Sequence, residues 1–294
     1  MHRLLGSLLV LTACGAPAAA PAPPPAAAPR SLPACAREVA GLGDLVAPGA
    51  TLFLGEIHGT AESLAFLGDV ACAAWRRGPT TVALEIPGTE QPRIDAFLSS
   101  AGSEADRIAL LAGAFWRRPQ QDGRSSAAML GLLDRLRGER ASGADVAVFA
   151  YDVETDAKLD GQTRDRTMAE HLISARRGAP RRTFIAHGGN VHSRHRVGVP
   201  WDPNYQPMGW FVAEAGIALT TLDVRRDGGA AWTCQQPDPN AAMQCGVSER
   251  PGKVSDRTWY VELGATDTGH DGFYIVGPTK ASPPAAPQPA APAP

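Results

Sequence analysis

The chain has 294 residues, 44% of them hydrophobic, and its 28 basic and 30 acidic side chains leave a formal charge of −2. Basic pairs such as Arg181-Arg182 and Arg225-Arg226 are isolated, so no stripe of charge follows a phosphate backbone and nucleic-acid binding is excluded. Seven of the 26 prolines fall in residues 15–33 and seven more in 278–294; the body between them, 34–277, is long enough to bury a sizeable core without metals or dense disulfides.

The first segment is an address. Met1-His2-Arg3 is a short basic start, Leu4 to Leu11 is apolar but too short to span a bilayer, and Leu11-Thr12-Ala13-Cys14 closes it. This resembles the signal peptide and lipobox of bacterial lipoproteins. The resemblance implies removal of residues 1–13, lipidation of Cys14, and a membrane contact through the lipid. Gly15, where an Asp would mark inner-membrane retention, implies the outer membrane, facing the periplasm. The Ala/Pro-rich run 14–33 reads as an extended linker, and 278–294 as a disordered tail of similar composition.

Along the body, buried parallel strands are expected at 51–54, 80–84, 146–150 and 183–186. Helical patterns lie between them at 61–76, 91–98 leading into 103–111, 125–137 and 163–175. Further strands are expected at 218–224, 260–263 and 273–276, with an irregular, disulfide-tied excursion over 232–256. Strand alternating with helix predicts the α/β class, a central mostly parallel sheet flanked by helices. In an oxidising compartment, Cys35, Cys72, Cys234 and Cys245 read as disulfides. Of the three possible pairings, Cys35–Cys72 would join two early helices and Cys234–Cys245 would close a short loop.

Polar residues gather where these strands end: Glu56 and His58 after the first, Glu85 after the second, Asp152 after the third, and His187, Asn190 and His192 after the fourth. In an open parallel sheet those ends share one rim, where ligands bind. Glu56 and His58, two apart on extended chain, point to one face; a carboxylate there fixes an imidazole tautomer and raises its basicity, or the pair supplies metal ligands. Glu85 closes an apolar run and needs a partner such as His58 or a cation. The glycines of His187-Gly188-Gly189-Asn190-Val191-His192 permit a tight turn whose N–H groups are open to an oxyanion, with Asn190 a donor and His192 an acid, a ligand or a second base. Arg164 or Arg166, opening a helix, and Arg124 after Asp122-Gly123 are candidates to bind an anionic group. Asp165 reads as a first-turn acid favoured by the helix dipole, Ser125 or Ser126 as an N-cap, Trp116 as pocket wall or core, and Arg194 and His195 as loop residues. With no GxSxG serine and no plausible nucleophilic cysteine, histidine- or metal-activated water is the simplest hydrolytic route. Dinucleotide and P-loop glycine motifs are absent.

Gly55-Glu56-x-His58, the strand-end Glu85, Arg164-Asp165-x-x-Met168-Ala169 and Gly189-Asn190-x-His192 occur in the order that resembles the superfamily of erythromycin-esterase-like proteins, ChaN-like haem-binding lipoproteins and Tiki-type metalloproteases. The resemblance implies an α/β fold with its cleft at the strand ends. From the esterase branch it implies a metal-free hydrolase of an ester or amide bond in a small molecule or envelope component. That branch puts the water-activating pair on Glu56 and His58 with His192 assisting; with the strand-end pattern, Glu85 joins them as catalytic, and Arg124, Asp152, Arg164, His187 and Asn190 would bind substrate. That branch places two residues between Glu and His, whereas only Ile57 intervenes here, a spacing closer to the ChaN-like branch. Haem held through His58, His187 or His192 is what that branch implies, although its haem-ligand tyrosine has no counterpart here. The Tiki-type branch implies a divalent metal on Glu56, His58 and His192.

Overall fold

Strand β1 (Thr51–Glu56) is buried along its whole length at the middle of the sheet. The computed structural model describes residues 34–154, 159–238, 241–252 and 255–287, all within one unit, Leu32–Pro294. The expected signal peptide, the lipidation site Cys14 and the linker to residue 33 lie outside the described residues. The remaining strands are β2 (Thr80–Pro87), β3 (Val146–Asp152), β4 (Thr183–Gly189), β5 (Thr220–Gln235), β6 (Gln244–Arg250), β7 (Tyr260–Leu263) and β8 (Gly272–Thr279). They run in the order β3-β2-β4-β1-β5-β8-β7, with β6 on the far half of β5. All pairings are parallel except β7 with β8 and β6 with β5.

Helices cover both faces, which is why the central strands read as unbroken apolar runs. They are α1 (Ala61–Trp75), α2 (Gln91–Leu98), α3 (Glu104–Leu111), α4 (Ala114–Arg117), α5 (Ala127–Ala141), α6 (Gly161–Gly178) and α7 (Met208–Glu214). Alternate residues of each strand enter different cores. Leu52, Leu54, Val82, Leu84 and Ile185 pack with α1, α2 and α5; Phe53, Ala83, Phe184 and Ala186 pack with α6 and α7. From the neighbouring strands β1 and β4 the chain departs in opposite directions, β1 towards β2 and β4 towards β5. That switch point opens a crevice at the strand ends.

The α/β architecture is therefore the expected one, with four local differences. Within the stretch expected to be irregular, 232–235 and 244–250 are strand: the second half of β5 and β6 form an antiparallel ladder in which Cys234 faces and bonds Cys245. Gly228-Gly229 and the Arg225-Arg226 pair hid this long strand by breaking its apolar run, and the register shifts at those places. Cys35 does bond Cys72 of α1, but from a stretch that is not helical. Helix α7 replaces a stretch with no expected element. Finally, the boundary placed at 277 falls inside β8, and residues 280–287 dock on the body instead of trailing from it.

Candidate active site at the strand ends

Register alone brings the polar residues together: Glu56 lies opposite Gly189, Leu84 opposite His187, and Pro87 opposite Asp152. His58 Nδ1 donates to Glu56 Oε1 at 2.8 Å. This leaves Nε2 as the basic nitrogen, 3.6 Å from Glu85 Oε2. The His58 side chain is 23% exposed, whereas Glu56 and Glu85 are buried. On the other side of Gly189 stands His192: a Cβ at Gly189 would lie 3.1 Å from His192 Cδ2 and 3.3 Å from His58 Nε2. The two imidazoles thus flank one glycine and share one pocket, both within 4.0 Å of Glu85.

Two guanidinium groups bind the carboxylates into one network. Glu85 Oε1 accepts from Arg124 at 3.1 Å and Arg164 at 2.7 Å, and Asp152 Oδ2 accepts from both at 2.8 Å. Glu85 Oε2 takes the backbone N–H of Gly189 at 2.7 Å. That N–H is therefore not open to an oxyanion, contrary to the sequence expectation. Asp122 holds the outer side of Arg124 and also bonds Arg118. Arg164 donates to His192 Nε2 at 3.0 Å, while His192 Nδ1 donates to Asp165 Oδ1. Asp165 in turn accepts the Met208 N–H of α7 at 3.2 Å.

Charge follows from these contacts. Burial opposes ionisation of Glu85, but His58, Arg124, His192 and Arg164 hold its carboxyl well below the usual range. Burial likewise resists ionisation of Glu56, and His187 and His58 overcome it. Burial disfavours protonated His58, yet Glu85 and the hydrogen bond to Glu56 raise its pKa above the ordinary histidine value, against Arg124. Asp122 is pulled down to about 2 against burial by Arg124 and Arg118. Arg118 is lowered to about 10, first by burial and then by Arg124.

Other expected site residues take different places. His187 is buried beneath the cleft, its pKa lowered chiefly by burial, with Nε2 3.8 Å from Glu56 Oε2. Asn190 turns its amide to Asp223 at 3.1 Å. Arg166 lies over Phe211, leaving Arg164 as the cleft-facing arginine. Trp116 is core, Ser126 caps α5, and His195 bonds Thr221 and Asp271. The glycines beside the site serve the packing of chain on chain. A Cβ at Gly188 would fall 2.2 Å from Tyr151 Oη, and Gly59, at φ +79°, would meet Trp232 O at 2.0 Å.

Sequence reading missed Asp165 as a site residue because it follows a helix start, where an acid already has a reason to be. The true N-cap is Asp160, and that displacement frees Asp165 to orient His192. Asp122 and Arg118 carried no signal beyond their nearness to Arg124. A divalent metal on Glu56, His58 and His192 does not fit these donors. Both His192 nitrogens are already bonded, one of them by the Arg164 guanidinium, and among the described residues no three His, Cys, Asp or Glu side chains form a ligand set. Arg124 also lines a groove of about 670 Å³ together with Arg118, Asp122, Cys234 and Met243.

No protein-family model matches the chain, and no curated protein matches it in sequence. Solved structures do. A mutant of the erythromycin esterase EreC in its open conformation has a TM-score of 0.54 and 13% identity, over 71% of this chain and 78% of the other. A Bacillus cereus protein has a TM-score of 0.53 and 10% identity, over 83% and 92%. A succinoglycan biosynthesis protein has a TM-score of 0.52 and 9% identity, over 82% and 92%. At such identities the likeness is one of fold: this chain shares the α/β fold of erythromycin esterase.

Proposed function

We propose that the protein is a hydrolase of an ester or amide bond in a small molecule or an envelope component, acting through histidine-activated water and needing no cofactor. One observation carries the reading: His58 Nε2 faces the cleft with no hydrogen-bond partner among the described residues, while Glu56 fixes the opposite nitrogen. A water there gives its proton to Nε2 as its oxygen attacks the carbonyl carbon, and Glu56 stabilises the imidazolium that forms. Arg164 is the nearest cation to the second imidazole and stabilises the tetrahedral oxyanion. The proton then passes from His58 to the leaving oxygen or nitrogen, which restores the base. His192, oriented by Asp165, assists on the far side of Gly189.

We further propose that the chain is a lipoprotein anchored through Cys14, in the outer membrane facing the periplasm. The two disulfides support an oxidising compartment. Among the described residues no helix is long and apolar enough to cross a membrane. The full-length protein is expected to partition into detergent, and Cys14→Ala to abolish that behaviour.

The chemical test is a panel of p-nitrophenyl esters and anilides assayed with and without chelator. Turnover is expected to survive chelation and to fall by roughly 10²–10⁴-fold in His58→Ala. Activity undiminished in that variant overturns the assignment. A Soret shift with added haemin that His58→Ala abolishes would replace it with the haem-uptake reading.

A further inference from the structure

Past β8 the chain crosses the two loops that carry His58 and Arg124. The Ser282 N–H donates to Gly59 O at 2.8 Å, Ala61 N donates to Lys280 O at 3.0 Å, and Thr60 bridges Ala281. These contacts lie directly after His58. Ala285 N donates to Ser125 O at 3.0 Å, directly after Arg124, and Ser126 bridges Pro284. The next three contacts are at the start of α5, whose first-turn N–H groups have no partner within the helix. Ala127 N donates to Pro283 O at 2.7 Å, Ala128 N to Ser282 Oγ at 2.8 Å, and Met129 N to Ser126 Oγ at 3.3 Å. Two of the three are capped by a segment more than 150 positions away in sequence. Composition suits the task. Pro283 and Pro284 bring no N–H needing a partner, and the residue before a proline is held extended. Ser282 and Ala286 are buried.

We propose that residues 280–287 are a positioning element of the site. The strap caps α5 from outside the helix and holds the Arg124 loop against the His58 loop, with Ser282 as the residue that touches both. The geometric claim stands on these contacts; its effect on turnover rests on the hydrolytic reading above.

The test is amide hydrogen exchange on the complete protein, on Ser282→Ala and Ser282→Thr, and on a chain ending at Thr279. In Ser282→Ala the Ala128 amide is expected to exchange about tenfold faster, as for a lost helix cap, and Ser282→Thr to restore it. In the shortened chain the acceleration should extend to Ala61 and Ala127 while the amides of β1–β4 stay protected. A synthetic peptide of residues 280–294 should reverse it. For a chromogenic ester, kcat of the shortened chain should drop by about 10- to 100-fold with KM little changed. Unchanged exchange at Ala127 and Ala128 in the shortened chain would overturn the proposal. So would loss of protection throughout the sheet, because the segment would then be core rather than strap. Exchange is read without substrate, so a protein that hydrolyses no ester fails only the hydrolytic reading.

Discussion

Glu85 is the residue on which the charges of the cleft converge. It accepts from two guanidinium groups and a backbone N–H, and it is the main influence raising His58 against burial. Removing it leaves Asp152 as the one carboxylate that Arg124 and Arg164 share. Glu85→Ala is therefore expected to destabilise the fold by about 3–5 kcal/mol, as for a buried pair broken on one side, read from chemical unfolding. Glu85→Gln keeps the shape and removes the charge. A base must be neutral to act, so the acid limb of kcat/KM reports the His58 pKa. With the charge gone that pKa falls, and the limb is expected to move to lower pH. A limb that stays in place would mean that His58 is not the titrating base.

At the scale of elements, the tightest constraint is the end of β4. A Cβ on Gly188 would meet both Tyr151 of β3 and the Glu85 side chain of β2, and the Tyr151 hydroxyl bonds His187 O at 3.1 Å. Gly188→Ala is expected to cost roughly 1–3 kcal/mol by overpacking. Tyr151→Phe deletes the nearest clashing atom, so thermal denaturation of the double variant should show partial relief. Costs that simply add would place the strain elsewhere. Most of this arrangement was legible in the sequence, because strand-end polar residues follow apolar runs that only a sheet covered on both faces requires. What escaped detection depends on pairs far apart in the chain. Gly188 and Gly189 read as an anion-binding turn, yet their smallness answers to Tyr151, Glu85 and the imidazoles. Asp165 reads as a local cap until His192 lies beside it. Residues 280–287 have the composition of a solvated tail; their docking is explained only by partners far away in the chain, Gly59 O and Ser125 O for their N–H groups and the N–H groups of Ala61 and the open first turn of α5 for their acceptors.

Over the whole molecule, opposed histidines set how stability varies with pH. His58 has a raised folded pKa, so its contribution is complete below the unfolded value of 6.5 and is lost as pH rises through the folded one. His187 and His270 are depressed, so theirs are complete above 6.5 and are lost as pH falls. Glu56 and Glu85, also depressed, add a further loss as pH drops below 4.5 and through their folded values. Stability is thus expected to peak near neutrality and to fall earlier on the acid side than carboxylates alone would dictate. His270 carries much of that early fall. It is fully buried, with Nε2 on Ser193 Oγ and Nδ1 on Thr268 Oγ1, both at 2.9 Å. Burial, then Arg194 and His195, lower its pKa to about 3. Between about 3 and 6.5 the unfolded chain binds a proton that the folded one refuses, at a cost on the order of a few kcal/mol by the acid end. His270→Gln keeps a polar side chain between Ser193 and Thr268 but cannot titrate. Denaturant unfolding at stepped pH should show a shallower decline for this variant below 6.5 and no change of slope above it. Equal slopes in the two proteins over that interval would mean that His270 is protonated in the folded state, and that its burial does not set the acid limb.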